Sequence, residues 1–199
     1  MDLADERGIE SLTMRELGRR LGVEAASLYN HVSGKDDLLD GMVEQVVSRI
    51  DLPDDSVHWK DAMRRRAVSA RAVFSRHRWA AGLIDSRERS GLAGLSYADR
   101  VLSVLLQAGF SPRTAGNAFL ALDSYIYGYE RQRSSFSLDE EEDGTEPARE
   151  VLEAAQDAFP SLIRVAGDYA AEPFDDDAAF DFGLGLILDG LQRLLEQGQ

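Results

Sequence analysis

The feature that most constrains this 199-residue chain is a helical apolar rhythm running almost from end to end. Apolar side chains recur at intervals of three and four, and no run of five or more residues alternates apolar with polar as a half-buried strand would. The expected class is all-α. Glycine, proline and capping residues divide the rhythm. A stub helix, Asp2 to Arg7, should end at Gly8. Thr13 followed by Glu16 forms a capping box, predicting a helix from Met14 to Leu21 with Leu17 and Leu21 inward. Gly22 stops it, a short helix Ala25 to His31 follows, and after Ser33-Gly34 a longer helix should run from Lys35 to about Ile50. Pro53 closes that unit, and Asp51 to Val57 reads as a connection. A head over residues 1–50 and a body over 51–199 are the expected domains.

In the body, helices are expected over His58 to Arg76, Trp79 to Ile84, and Tyr97 to Ala108, the last ended by Gly109. Ser111-Pro112 places proline at the first helical position and opens a helix to about Phe136. The acidic run SLDEEEDGTE, Ser137 to Glu146, reads as a mobile loop. Pro147 starts a further helical pair, and Asp175 to Asp177 cap a last helix reaching Leu195.

The helix Ala25 to His31 poses a question, because about two turns cannot hold themselves in water. Its neighbours can bury Leu28 and Val32, leaving Ser27, Tyr29, Asn30 and His31 on the other face. A capped helix, a glycine turn and a second short helix make the layout of a helix-turn-helix, whose second helix enters the DNA major groove.

The net charge of −14 looks hostile to a phosphate backbone until it is divided along the chain. Residues 137–199 carry 17 acids against 3 Arg, whereas residues 1–136 carry 19 of each sign. Local sign decides whether DNA can approach. Lys60 to Arg89 holds nine bases against three acids, and its Arg64-Arg65-Arg66 run reads as a solvated helix face. The absence of cysteine removes disulfides, thiolate chemistry and cysteine-based zinc sites. With no apolar run near 20 residues and no signal peptide at Met1 to Glu10, the chain reads as cytoplasmic, with no membrane partner.

Two body helices are apolar on two sides. In the last one, Phe180, Leu184, Ile187, Leu188, Leu191, Leu194 and Leu195 form one stripe, but Phe182 and Leu186 lie off it, with Gly183, Gly185 and Gly190 between. A mid-helix glycine costs about 1 kcal/mol against alanine, which close approach by another helix could offset. The Pro112 helix has Phe119, Leu122 and Ile126 on one side and Ala118, Ala121, Tyr125 and Gly128 on another. A homodimer through helices around 112–136 and 175–197 is expected, as a four-helix interface.

The stretch LGVEAASLYNHVSGKDDLL resembles the helix-turn-helix of the TetR family of one-component repressors: Leu28-Tyr29, His31, Lys35 and Leu38-Leu39 match its pattern in order and spacing, as does SLTMRELGRRLGV upstream. The helix order and the closing segment FDFGLGLILDGL look like the C-terminal domain of the tetracycline-repressor branch. The resemblance implies a ligand-responsive repressor that binds a palindromic double-stranded DNA operator as a homodimer and is released by a small-molecule inducer. It gives Thr13, Tyr29, His31 and Lys35 phosphate-positioning roles and Arg15 a guanine edge. Ala25, Ala26, Ser27 and Asn30 would face bases. Family members normally have a longer first helix, whereas only seven residues precede Gly8, implying an upstream start or a truncated clone. With six bases against ten acids over residues 1–50, weak non-specific DNA binding is expected.

The resemblance also places a ligand pocket in the body, with the helix from Lys35 to Ile50 as the lever that sets the spacing of the heads. The magnesium-chelating His and Glu of the tetracycline repressor fall near Ile84 and Gln132, so neither metal nor tetracycline carries over and no cofactor is expected. Its Asn and Phe drug contacts fall near Arg66 and Ala70, and Phe74, Trp79, Asn117, Tyr125 and Tyr127 are further candidate lining residues. The inducer stays unknown. An enzyme is not expected: His31, His58 and His77 lack metal-ligand spacing, and there is no nucleophile elbow or P-loop. The alternative is a helical dimeric adaptor that has lost DNA binding.

Overall fold

The computed structural model describes residues 1–86, 91–135, 158–171 and 174–198. Among them the regular structure is helical throughout, and no helix is long and apolar enough to cross a membrane. The first part comprises α1 (Asp2–Arg7), a 3-10 turn (Ile9–Ser11), α2 (Met14–Leu21), α3 (Ala25–Leu28) and α4 (Lys35–Val47). The remainder comprises α5 (Trp59–Arg76), α6 (Arg78–Ser86), α7 (Leu92–Gln107), α8 (Pro112–Ser135), α9 (Pro160–Ala171) and α10 (Asp176–Glu196).

Burial follows the apolar stripes. In α5, Trp59, Ala62, Met63, Ala67, Ala70 and Phe74 turn inward; in α8, Ala115, Ala118, Leu122 and Ile126; in α10, Phe180, Leu184, Leu188 and Leu191. These faces meet α6 and α7 in one cluster, which also takes in Leu39, Met42, Val43, Val46 and Val47 of α4. The lever therefore belongs to the body's core as much as to the head. The charges that were segregated in sequence meet on the outside of α5: Lys60 pairs with Asp189 at 2.5 Å, Arg64 with Asp181, and Arg71 with both Asp176 and Asp177 at 2.6 Å.

Several expectations need correction. Leu21 is 59% exposed, not inward, because α1, α2 and α4 enclose an open groove of about 460 Å³ lined by Leu3, Leu12, Leu17, Leu21, Leu38 and Met42. α7 begins at Leu92, five residues before the expected Tyr97, and its first turn is capped from outside: the Glu44 carboxylate of α4 accepts from Ala93 N at 2.8 Å and Gly94 N at 3.3 Å. The Arg64-Arg65-Arg66 run is no solvated face, since Arg66 is 1% exposed and Arg64 is paired, leaving only Arg65 open. A close approach at Gly183 occurs within the chain: a side chain there would collide with the ring of Tyr125 on α8. The expected loop at Ser137 to Glu146 and the helix start at Pro147 lie outside the described residues.

Candidate functional site

The head's corner is set by two glycines. Gly22 closes α2 with φ +70°, where other L-residues are strained. Gly18 lets α3 lie on α2: a Cβ there would come within 2.9 Å of Val23 O and 3.1 Å of Ala25 N, both backbone atoms. Thr13 caps α2 by accepting from Glu16 N at 3.1 Å, the bond its spacing predicts. α3 is a single turn rather than the seven residues expected. Tyr29, Asn30 and His31 continue as turns, their amides donating three residues back to Ala26, Ser27 and Leu28. Buried Leu28 is the anchor. Thr13, Arg15, Ala26, Ser27, Tyr29, Asn30, His31 and Lys35 are exposed, and Ala25 is half-buried because its backbone fills the corner against Gly18.

Three arginines of the head are already engaged. Arg19 donates twice to Glu16, at 2.9 and 2.5 Å, Arg7 reaches the same carboxylate at 3.2 Å, and Arg20 forks onto Glu6 at 2.7 and 2.6 Å. These hydrogen bonds, from Arg19 and Arg20 respectively, hold the Glu16 and Glu6 carboxyls below the usual carboxylate range. Arg15 and Lys35 have no such partner among the described residues. The acids of α1 and α2 thus neutralise three bases and leave Arg15 and Lys35 free, with Tyr29 and His31 exposed as well. That surface can receive phosphates and base edges.

Within the body, Arg66 is the only fully buried guanidinium among the described residues. Its Nε donates to the Tyr97 hydroxyl at 2.7 Å, another nitrogen bonds the Asp123 carboxylate, and its carbon lies 4.9 Å from the Tyr97 ring centroid. Tyr127 donates to the other Asp123 oxygen at 3.1 Å, and its ring meets Phe74 edge-on at 5.1 Å. Burial, stronger here than the pull of Arg66, pushes the Tyr97 hydroxyl up to about 12.

Of the candidate ligand residues, then, Arg66, Phe74 and Tyr127 converge around Asp123, with buried Ala70 on the same helix as Arg66 and Phe74. The others do not join them. Asn117 is exposed on α8, Tyr125 is half-buried with its hydroxyl donating to Phe180 O at 2.8 Å, and Trp79 lies at the junction with the head. Ile84 and Gln132 are respectively buried and exposed. Sequence reasoning missed Asp123 and Tyr97. The available signal was an aspartate in the middle of the apolar stretch AFLALDSYIY, where an unpaired charge would be costly.

The junction was missed too. The Asp5 carboxylate of α1 accepts from Trp79 Nε1 at 2.6 Å and lies 2.8 Å from Nδ1 of His77, which joins α5 to α6. The other ring nitrogen of His77 lies 2.7 Å from an Arg49 guanidinium nitrogen, just past the end of α4.

Two family models match the chain. Residues 1–42 match the family model for bacterial regulatory proteins of the tetR family, and residues 52–195 match the tetracyclin repressor-like C-terminal domain. The chain is 32% identical over 192 residues to an HTH-type transcriptional regulator of Saccharopolyspora erythraea, covering 96% of this chain and 80% of that one. It is also 32% identical to the class A tetracycline repressor protein from transposon 1721 of Escherichia coli, with 97% and 87% covered. Among solved structures, it is similar to the TetR family protein ActR of Streptomyces coelicolor in complex with actinorhodin. That likeness has TM-score 0.80 and 26% identity, over 100% of this chain and 94% of that one.

Proposed function

The chain belongs to the TetR family of ligand-responsive transcriptional regulators, and on that premise we propose that residues 1–50 read an operator while residues 51–199 sense an aromatic inducer and pair two copies. The observation that carries the DNA reading is the contrast among the head's bases: three arginines are tied to acids, whereas Arg15 and Lys35 stay free, with Tyr29 and His31 exposed as well. Thr13, Tyr29, His31 and Lys35 position phosphates. Arg15 reaches a guanine edge, and Ala25, Ala26, Ser27 and Asn30 face the bases. Nuclease protection on promoter DNA tests this: Arg15→Ala should weaken protection of the specific site by at least about tenfold, the scale of one lost bidentate contact. Unchanged protection would remove Arg15 from the interface.

For pairing, the outer face of α10 carries Phe182 and Leu186, 72% and 60% exposed, and α8 adds Leu120 at 62%. Large apolar side chains in a row on adjacent helices suit a second copy of the chain. Light scattering should give twice the 22.0 kDa monomer mass, and Phe182→Arg should halve it. The inducer reading is supported by the Arg66, Tyr97, Asp123 and Tyr127 cluster with Phe74 and Phe119 at its edges, and by the actinorhodin complex of ActR. A planar compound bearing hydroxyl or carbonyl groups offers those side chains hydrogen bonds and a face to stack on.

A further inference from the structure

Among the described residues, polar contacts join α4 to the body near its middle and just beyond its end. Near its middle, Glu44 holds the start of α7, packed so closely on Gly91 that a side chain there would overlap the carboxylate. Just beyond its end, Arg49 reaches His77, whose ring is buried and also holds Asp5 of α1. The chemistry of this second contact is restrictive. A guanidinium has donors only, so the nitrogen facing Arg49, Nε2, must keep its lone pair. The Asp5 carboxylate accepts only, so Nδ1 must carry the hydrogen. One form of the ring satisfies both neighbours: neutral, with hydrogen on Nδ1.

We propose that His77 is the positioning residue that couples the head to the body, and that it does so only as the neutral Nδ1–H ring. The proposal rests on the operator-and-sensor reading for its biological meaning. Its physical content stands on the junction alone. Charged groups around the ring are Asp5 from α1, Arg49 beyond α4, and in the chain on either side Arg76 of α5 and Arg78 of α6. A second proton on Nε2 would set N–H against N–H and place a cation beside the Arg49 guanidinium in a site 2% exposed. The bond to Asp5 would survive and strengthen, because that carboxylate gains a charged donor. Acid therefore breaks the polar tie at the end of α4, leaving Val46, Val47 and Ile50 as its hold on the core, while α1 stays docked. Glu44 remains as the pivot, so the lever swings at its far end instead of coming loose.

The test uses the full chain without DNA, so a failure of the operator reading and a failure of this proposal are separate results. Long-range nitrogen–proton NMR of the imidazoles at pH 8 should show His77 as the neutral Nδ1–H form. Hydrogen exchange, corrected for the intrinsic effect of pH, should quicken by about tenfold for the amides of Ser48, Arg49 and Ile50 between pH 8 and pH 5.5, with α8 amides unchanged. His77→Gln keeps one donor and one acceptor without a titrating group and should abolish that step while retaining slow exchange. Arg49→Met should exchange fast at both pH values, and it carries the test if His77→Gln does not fold. A charged ring at pH 8, hydrogen on Nε2, or the same pH step in either variant as in the unsubstituted protein would overturn the proposal.

Discussion

The head and the body both spend arginines on carboxylates, but in opposite settings. In the head, Arg7, Arg19 and Arg20 pair with Glu6 and Glu16 at the surface, with side chains 25 to 66% exposed. In the body, Arg66 and Asp123 pair at 0% and 4%. Surface pairs add little to stability because water already solvates both charges. A buried pair is different in kind: the intact pair is close to neutral against an apolar core, yet losing one partner strands the other. The head's pairs therefore set how much positive charge its surface shows, whereas the body's pair makes its core intolerant of partial change.

The largest break in that comparison should come from Asp123→Ala. It removes the acceptor for Arg66 and Tyr127 together, leaving a guanidinium inside the core, and should cost roughly 3–5 kcal/mol in urea unfolding. The double substitution Arg66→Met with Asp123→Leu should recover most of the loss, since two apolar side chains of similar volume strand no charge. If Asp123→Ala unfolds at the same urea concentration as the unsubstituted chain, Arg66 has found water and the body's core is more open than the structure shows.

Tyr97 sharpens the same point through pH. Its hydroxyl titrates near 10 in the unfolded chain and about 12 in the folded one, so between these values the unfolded state loses the proton first. Stability is full below pH 10 and falls as pH rises toward about 12, by roughly 2–3 kcal/mol at most. Tyr97→Phe should be less stable at neutral pH, because Arg66 Nε loses an acceptor, but should show a shallower alkaline decline. Equal slopes for the two proteins would mean that the burial of Tyr97 does not govern its ionisation.

The head responds to shape more than to charge. Gly18→Ala pushes a Cβ against Val23 O and the backbone of Ala25, and neither atom belongs to a side chain that can swing away. The cost expected is about 1–3 kcal/mol, confined to the head. Hydrogen exchange should quicken in α2 and α3 while α8 and α10 hold. Operator affinity should fall, since α3 is held on α2 through this contact as well as by buried Leu28. Uniform loss of protection across the chain would show that head and body unfold as one.

These cases also mark what could be read in advance. The helix order was legible because Thr13, Gly22, Pro112 and Asp175 each act within a few residues of themselves: Thr13 accepts from Glu16 N, and Asp175 from Ala178 N at 2.9 Å. The exposure of Ser27, Tyr29, Asn30 and His31 followed from the same local logic, a helix too short to bury more than Leu28. What remained hidden depends on partners far along the chain. The true start of α7 is set by Glu44, 49 residues from Ala93. Arg66 looked like one of three surface arginines because nothing near it in sequence announces Asp123, 57 residues on. His77 looked like one of three scattered histidines until folding brought Asp5 and Arg49 to its two nitrogens.

The smallest effect on stability should come from Glu16→Gln, and there the comparison turns to function. The Glu16 carboxylate is the shared acceptor of Arg7 and Arg19, and both pairs lie in solvent. Glutamine keeps the helical geometry, and the backbone N–H at position 16 still donates to Thr13, so the unfolding midpoint should stay where it was. Removing the charge frees two guanidinium groups next to Arg15. Non-specific affinity for duplex DNA should rise, and the slope of log K against log salt should steepen by up to about two released ions. Contacts to base edges are untouched, so affinity for the operator should rise less than affinity for random sequence, and the ratio of the two should fall. An unchanged salt slope would mean that Arg7 and Arg19 point away from the phosphates even when released, leaving Lys35 as the cation that meets the backbone.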